Sequence, residues 1–155
     1  MKVVFLDIDG VLNSQRVCIA TGGISHTTRG GGLEHLDPIA IALIRGICRA
    51  AGAEIVLSST WRKHADWKDY GTDMDLPITD RTSQSSTGNR GEEIAEWLRA
   101  HPETERYAII DDDSDMLPEQ LPYFVHTSGM EGFIWKDAVL LAEILGVDVF
   151  DAIYL

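Results

Sequence analysis

Four short apolar stretches set the rhythm of the chain: Val3–Leu6, Ala53–Leu57, Tyr107–Ile110 and Tyr123–Thr127. They show little of the strict alternation expected of a strand with one wet face. Runs of this kind suit strands covered on both sides, as in a parallel sheet. Between them, apolar residues recur at helical spacing. Asp37-Pro38 opens the first such segment, with Asp37 placed to cap and Pro38 suited to the first helical position. Gly52 then closes it, with Ile39, Ala42, Leu43, Ile47 and Ala50 as its apolar side. A second helix starts at Asn89, with Glu92 three residues on, carries Ile94, Trp97 and Leu98, and stops at His101-Pro102. A third spans roughly Lys136 to Leu145 and stops at Gly146. Strands alternating with helices predict βαβ units with right-handed crossovers: an α/β fold with a mostly parallel central sheet and the first strand in its middle.

Elsewhere the pattern weakens. Residues 13–35 contain Gly22-Gly23 and Gly30-Gly31-Gly32 with little periodicity, and read as a flexible excursion. Residues 61–89 are mixed, with Trp61, Trp67, Tyr70, Met74 and Leu76 among polar neighbours, so no element is assigned there. Val147 to Tyr154 reads as a short last strand.

At 155 residues, 45% hydrophobic, the chain has room for one domain, 1–155, with a full core. No apolar run approaches a membrane span, and the residues before the first strand do not resemble a signal peptide. Cys18 and Cys48 lack metal-ligand spacing, which points to reduced thiols and a cytoplasmic protein. The net charge of −12 is unevenly spread. Residues 1–90 hold ten basic and ten acidic side chains; residues 91–155 hold three and fifteen. This balance argues against extended nucleic-acid binding and leaves room only for a local basic pocket.

The chemistry gathers where the apolar runs end. Val3–Leu6 leads into Asp7-Ile8-Asp9-Gly10, Ala53–Leu57 into Ser58-Ser59-Thr60-Trp61-Arg62, and Tyr107–Ile110 into Asp111-Asp112-Asp113-Ser114-Asp115. In open α/β sheets, ligands bind in the crevice beyond the strands' carboxyl ends. Paired carboxylates there suit a hard cation such as Mg²⁺, or a nucleophile beside a proton donor. A calcium loop on Asp111, Asp113 and Asp115 fails, because Met116 stands at the glycine position and Pro122 at the glutamate position.

Asp7-Ile8-Asp9-Gly10-Val11 resembles the first motif of the haloacid dehalogenase (HAD) superfamily, in its phosphatase branch. Ser58, Arg90 and Asp111-Asp112 resemble its second, third and fourth motifs, in the same order. The stretches around them are similar to small HAD domains of RNA-repair proteins and to the phosphatase domain of polynucleotide kinase-phosphatases. The resemblance implies a Rossmann-like HAD fold in which residues 13–35 form a loop-type lid or cap. It implies Asp7 as nucleophile and Asp9 as general acid/base. Ser58, Ser59, Arg62 and Arg90 would bind phosphate, with Mg²⁺ on Asp7, Asp9, Asp111 and Asp112. Asp115 would offer an alternative acid of the fourth motif.

The expected reaction is Mg²⁺-dependent hydrolysis of a phosphate monoester, with no membrane partner. Nucleotides or nucleic-acid ends are the expected substrates, since Arg16, His26, Arg29, Arg62, Lys63, His64, Arg81 and Arg90 cluster near the motifs and Trp61 and Trp67 offer faces for a base. The alternatives are a phosphatase of small metabolites and an inactive phosphate-binding module. A receiver-like signalling domain has the wrong order, because there the adjacent acids precede the phosphorylated Asp. Oligomeric state is not readable from the sequence.

Overall fold

The computed structural model describes residues 1–22 and 35–154. Its sheet has five strands: β1 (Lys2–Leu6), β2 (Ala53–Leu57), β3 (Ile78–Arg81), β4 (Arg106–Asp111) and β5 (Phe124–His126). Their spatial order is β3-β2-β1-β4-β5, and every pairing is parallel. The first strand is therefore central, as the sequence implies.

Both faces of β1 are covered, which explains its unbroken apolar run. Val4 and Leu6 point into the larger core with Ile44 and Ile47 of α2 (Pro38–Ala51) and Leu141 and Leu145 of α5 (Trp135–Leu145). Val3 and Phe5 point into a smaller core with Ile94 and Trp97 of α4 (Arg90–Ala100) and with Met116. Phe5 meets the Trp97 ring edge-on at 5.3 Å. From β1 the chain winds outward through β2 to β3, then crosses back by α4 to β4. Strand order thus reverses beside β1, and the crevice beyond β1 and β4 is where such a sheet offers a site.

Helix boundaries follow local chemistry. The Asp37 carboxylate accepts hydrogen bonds from the backbone N–H groups of Ile39 and Ala40, and Gly52 closes α2 in the left-handed region at φ 62°. Asn89 caps α4 by accepting from the Glu92 N–H.

The structure corrects two expectations. Val147–Tyr154 does not form a strand: Val149–Tyr154 is a helix, α6. Asp148 starts it by accepting from the N–H groups of Phe150 and Asp151 at 2.8 and 3.2 Å. The helix lies on α2 where Gly46 permits close approach, since a Cβ there would stand 2.6 Å from the Ala152 carbonyl oxygen. Part of the expected excursion is also ordered, because Gln15–Ala20 forms α1. The lid assigned to residues 13–35 otherwise falls on 23–34, outside the described residues, as do His26 and Arg29.

The 61–89 region contains elements the hydrophobic pattern did not signal. They are a 3₁₀ turn at Thr60–Lys63, the one-and-a-half-turn α3 (Asp69–Met74) and the edge strand β3.

Candidate functional site

Strand register creates the site. Leu6 pairs with Leu57 on one side and with Ile110 on the other. The next residues, Asp7, Ser58 and Asp111, therefore stand side by side at the sheet's carboxyl edge. The Asp7 N–H donates to the Ile110 carbonyl at 2.9 Å, and the Ser58 N–H donates to the Leu6 carbonyl at 3.0 Å. Oxygens of Asp7, Asp111 and Asp112 all lie within 4.8 Å of one another. Beyond them opens a cavity of about 360 Å³ lined by Asp7, Asp9, Gly10, Thr60, Arg90, Asp112, Asp113 and Gly129.

The turn after β1 shapes this cavity. Gly10 sits at φ 74°, and a Cβ on it would meet Asp112 Oδ2 at 2.1 Å. A side chain there is strained by the backbone conformation and would require the Asp112 carboxylate to turn aside.

Arg90 brings positive charge to the cluster. Its Nη1 donates to Asp111 Oδ2 at 3.1 Å and to Asp7 Oδ1 at 3.3 Å. The start of α4 is held by Asp115, whose carboxylate accepts from the Arg90 N–H at 2.8 Å and whose carbonyl accepts from the Gly91 N–H at 3.3 Å. Gly91 is required at this contact, since a Cβ would stand 2.7 Å from the Leu117 nitrogen. Asp115 thus serves the helix end, while the three-acid cluster uses Asp112.

Crowding of buried carboxylates shows in their proton affinities. Burial pushes Asp7 up to about 6, against the opposing pull of the Arg90 charge and the Ser59 hydroxyl bond. Asp111 rises to about 8, through burial first and the Asp7 charge second. Asp112 rises through burial and the neighbouring Asp113. Burial works to lower Arg90, but Asp111 and Asp7 outweigh it and raise its affinity for its proton. A hard cation beside these acids would offset their repulsion. Three carboxylates offer an all-oxygen donor set, which fits Mg²⁺ better than a metal that favours sulfur or imidazole.

Asp9, expected among the metal ligands, is not one of the three clustered acids. Its carboxylate accepts from Trp61 Nε1 at 3.1 and 3.2 Å and from Asn13 Nδ2 at 2.7 Å. Ser58 is fully buried and its hydroxyl has no hydrogen-bond partner among the described residues. Ser59 is buried beside it and accepts from the Trp61 N–H at 3.3 Å.

Arg62, expected on the phosphate, is committed elsewhere. One guanidinium nitrogen donates to Glu93 Oε2 at 2.6 Å, and the other donates to the carbonyls of Ser58 and Ser59. It does not line the cavity. Other basic residues are also engaged. Arg16 pairs with Asp37 at 3.0 Å, and Arg81 donates to the Arg62 carbonyl and lies 5.0 Å from the Trp67 ring centre. Trp67 is itself buried. The sequence reading missed three partners, Trp61 and Asn13 on Asp9 and Glu93 on Arg62. Only the Asn13 spacing, four residues after Asp9, offered a local signal.

A doubly wound parallel sheet whose β1 and β4 ends converge on acids, an arginine and a buried serine defines a Rossmann-like α/β domain of the HAD type. A family model described as "HAD domain in Swiss Army Knife RNA repair proteins" matches residues 3–138, so the chain belongs to that family. It is a HAD-type hydrolase domain. No curated protein and no solved structure matches the chain. Among the described residues, no helix is long and apolar enough to cross a membrane.

Proposed function

We propose that the protein is a Mg²⁺-dependent phosphomonoesterase working through an aspartyl-phosphate on Asp7. The observation that carries this reading is the clustering of Asp7, Asp111 and Asp112, with Arg90 paired to Asp7 and Asp111, at the wall of one cavity that Asp7, Asp112 and Arg90 line. A nucleophilic carboxylate, fixed positive charge and an adjacent acid are the parts that phosphoryl transfer needs.

Asp7 attacks phosphorus, and the bond to the leaving oxygen breaks with its electron pair on that oxygen. Asp9 protonates the leaving oxygen, then takes a proton from the water that cleaves the acyl-phosphate. Arg90, which lines the cavity, and the Ser58 hydroxyl, which has no hydrogen-bond partner among the described residues, bind the phosphoryl oxygens, with the Ser59 hydroxyl steadying Asp7. Arg62 supports this loop from behind, through the Ser58 and Ser59 carbonyls. Asp7, Asp111 and Asp112 would hold Mg²⁺, which when bound neutralises charge on the carboxylates and the phosphate.

The substrate class we favour is a phosphate at a nucleotide or nucleic-acid end. Support comes from the family description, which names RNA repair. The basic side chains near the motifs lend less support, since Arg16, Arg62 and Arg81 are engaged within the protein. The test compares kcat/KM, with Mg²⁺ and after exhaustive chelation, for a 3′-phosphorylated oligonucleotide, a 5′-phosphorylated one, a mononucleotide and a sugar phosphate. Undiminished activity after chelation removes the metal. A tenfold preference for the sugar phosphate, about 1.4 kcal/mol, removes the nucleic-acid reading.

A further inference from the structure

Asp9 is gripped from two directions. Asn13, from the turn after β1, donates to Oδ1 at 2.7 Å. The Trp61 indole N–H reaches across from the loop after β2 and is shared between Oδ1 at 3.1 Å and Oδ2 at 3.2 Å. Oδ1 thus takes two donors, whereas among the described residues Oδ2 has only its share of the indole.

The donors are themselves held. The Asn13 side-chain oxygen accepts from the Gly10 N–H at 3.0 Å. The Trp61 backbone N–H donates to Ser59 Oγ, and the Trp61 ring packs against Tyr70 with centroids 5.5 Å apart at 63°. A half-buried tryptophan could serve simply as packing between the β1 and β2 loops. Packing alone does not require the one polar atom of the ring to meet the carboxylate beside the nucleophile's strand end.

The structure assigns Trp61 as a positioning residue that, with Asn13, fixes the orientation of the Asp9 carboxyl at the cavity wall. This rests on the phosphatase reading and adds to it a residue that holds the proton donor. In the first half-reaction an Asp7 oxygen bonds phosphorus, the P–O bond to the leaving group breaks with its electron pair on the leaving oxygen, and the Asp9 carboxyl gives its proton to that oxygen. A misaimed carboxyl slows this transfer only where the leaving oxygen needs a proton. Alkoxide leaving groups need one, and nitrophenolate largely does not.

The test is Trp61→Phe, which keeps the ring and removes the N–H. kcat/KM is measured for a nucleoside monophosphate and for p-nitrophenyl phosphate, because this parameter covers steps through departure of the leaving group. The expected result is a ratio of alkyl to aryl kcat/KM that falls about tenfold or more, within the range that general acid catalysis supplies. The loss should fall on kcat rather than KM. Equal losses on both esters, or no loss, overturn the assignment and leave the phosphatase reading standing. A wild-type protein that hydrolyses neither these esters nor a 3′- or 5′-phosphorylated oligonucleotide overturns both. If Trp61→Phe does not fold, the indole ¹⁵N–¹H resonance of Trp61 is compared in wild type and Asp9→Ala. A shift of that resonance is expected, and an unmoved one overturns the contact on which the inference stands.

Discussion

Removing Arg62 should cost the protein more stability than any single surface change, and the structure says why. The Arg62 and Glu93 side chains are 5% and 2% exposed and meet at 2.6 Å. Glu93 uses its other oxygen to accept from the Ser85 N–H at 3.0 Å, and Arg62 also satisfies the carbonyls of Ser58 and Ser59. In Arg62→Ala, the Glu93 carboxylate stays buried without its cation, and those carbonyls lose a donor. Breaking a buried pair from one side costs about 3–5 kcal/mol, against a total stability of about 5–15 kcal/mol. For a domain of this size that corresponds to a fall of roughly 10 °C in Tm. Burying two charges is itself expensive, so replacing both partners by apolar side chains of similar volume should recover much of the loss. The assay is urea and thermal unfolding of wild type, Arg62→Ala, Arg62→Met and Arg62→Met/Glu93→Leu, followed by circular dichroism. A loss below about 1 kcal/mol in Arg62→Ala, or a double variant no more stable than Arg62→Met, refutes the reasoning. Where Arg62→Ala remains folded, a normal KM for phosphate esters separates support of the Ser58 loop from direct contact with substrate.

Asp7→Asn should abolish hydrolysis with the fold intact, because the amide keeps the shape and loses the nucleophilic charge; full activity in a folded variant rules out Asp7 as nucleophile. Asp9→Asn should slow turnover by about 10²-fold or more by removing the proton donor, with phosphoenzyme trapped by acid quench as a second readout. Gly10→Ala should unfold more easily and bind Mg²⁺ weakly, since the new Cβ would stand 2.1 Å from Asp112 Oδ2 at a backbone φ of 74°; calorimetric Mg²⁺ binding equal to wild type contradicts this. Without divalent metal, stability should fall as pH rises from the ordinary carboxylate value of 3.8 through about 6 for Asp7 and about 8 for Asp111. Both folded-state affinities are raised, so the folded chain holds protons that the unfolded chain has released across that window. Mg²⁺ would bind the deprotonated acids, so the Tm gain on adding it should grow over the same range, and a gain independent of pH refutes the coupling.

The hydrophobic pattern determined the sheet's interior because β1, β2 and β4 are covered on both faces, and burial on both faces writes itself as a run of apolar residues. β3 left no such trace: Ile78 and Asp80 are only partly buried, as befits an edge strand, and Thr79 and Arg81 are ordinary for an exposed face. Helix limits at Asp37, Gly52 and Asn89 were legible because capping is a contact between residues two to four apart. Val149–Tyr154 is a helix because Asp148 caps its start and it packs closely on α2 at Gly46. The order of Asp7, Ser58, Arg90 and Asp111 along the chain announced a shared site, since strand ends on one edge of a parallel sheet must lie together. What each side chain does with its charge was settled only in three dimensions. Arg62 meets Glu93 across 31 positions, and Trp61 meets Asp9 across 52. A guanidinium or an indole N–H bonds whichever acceptor the fold brings to it, and no local spacing encodes that choice.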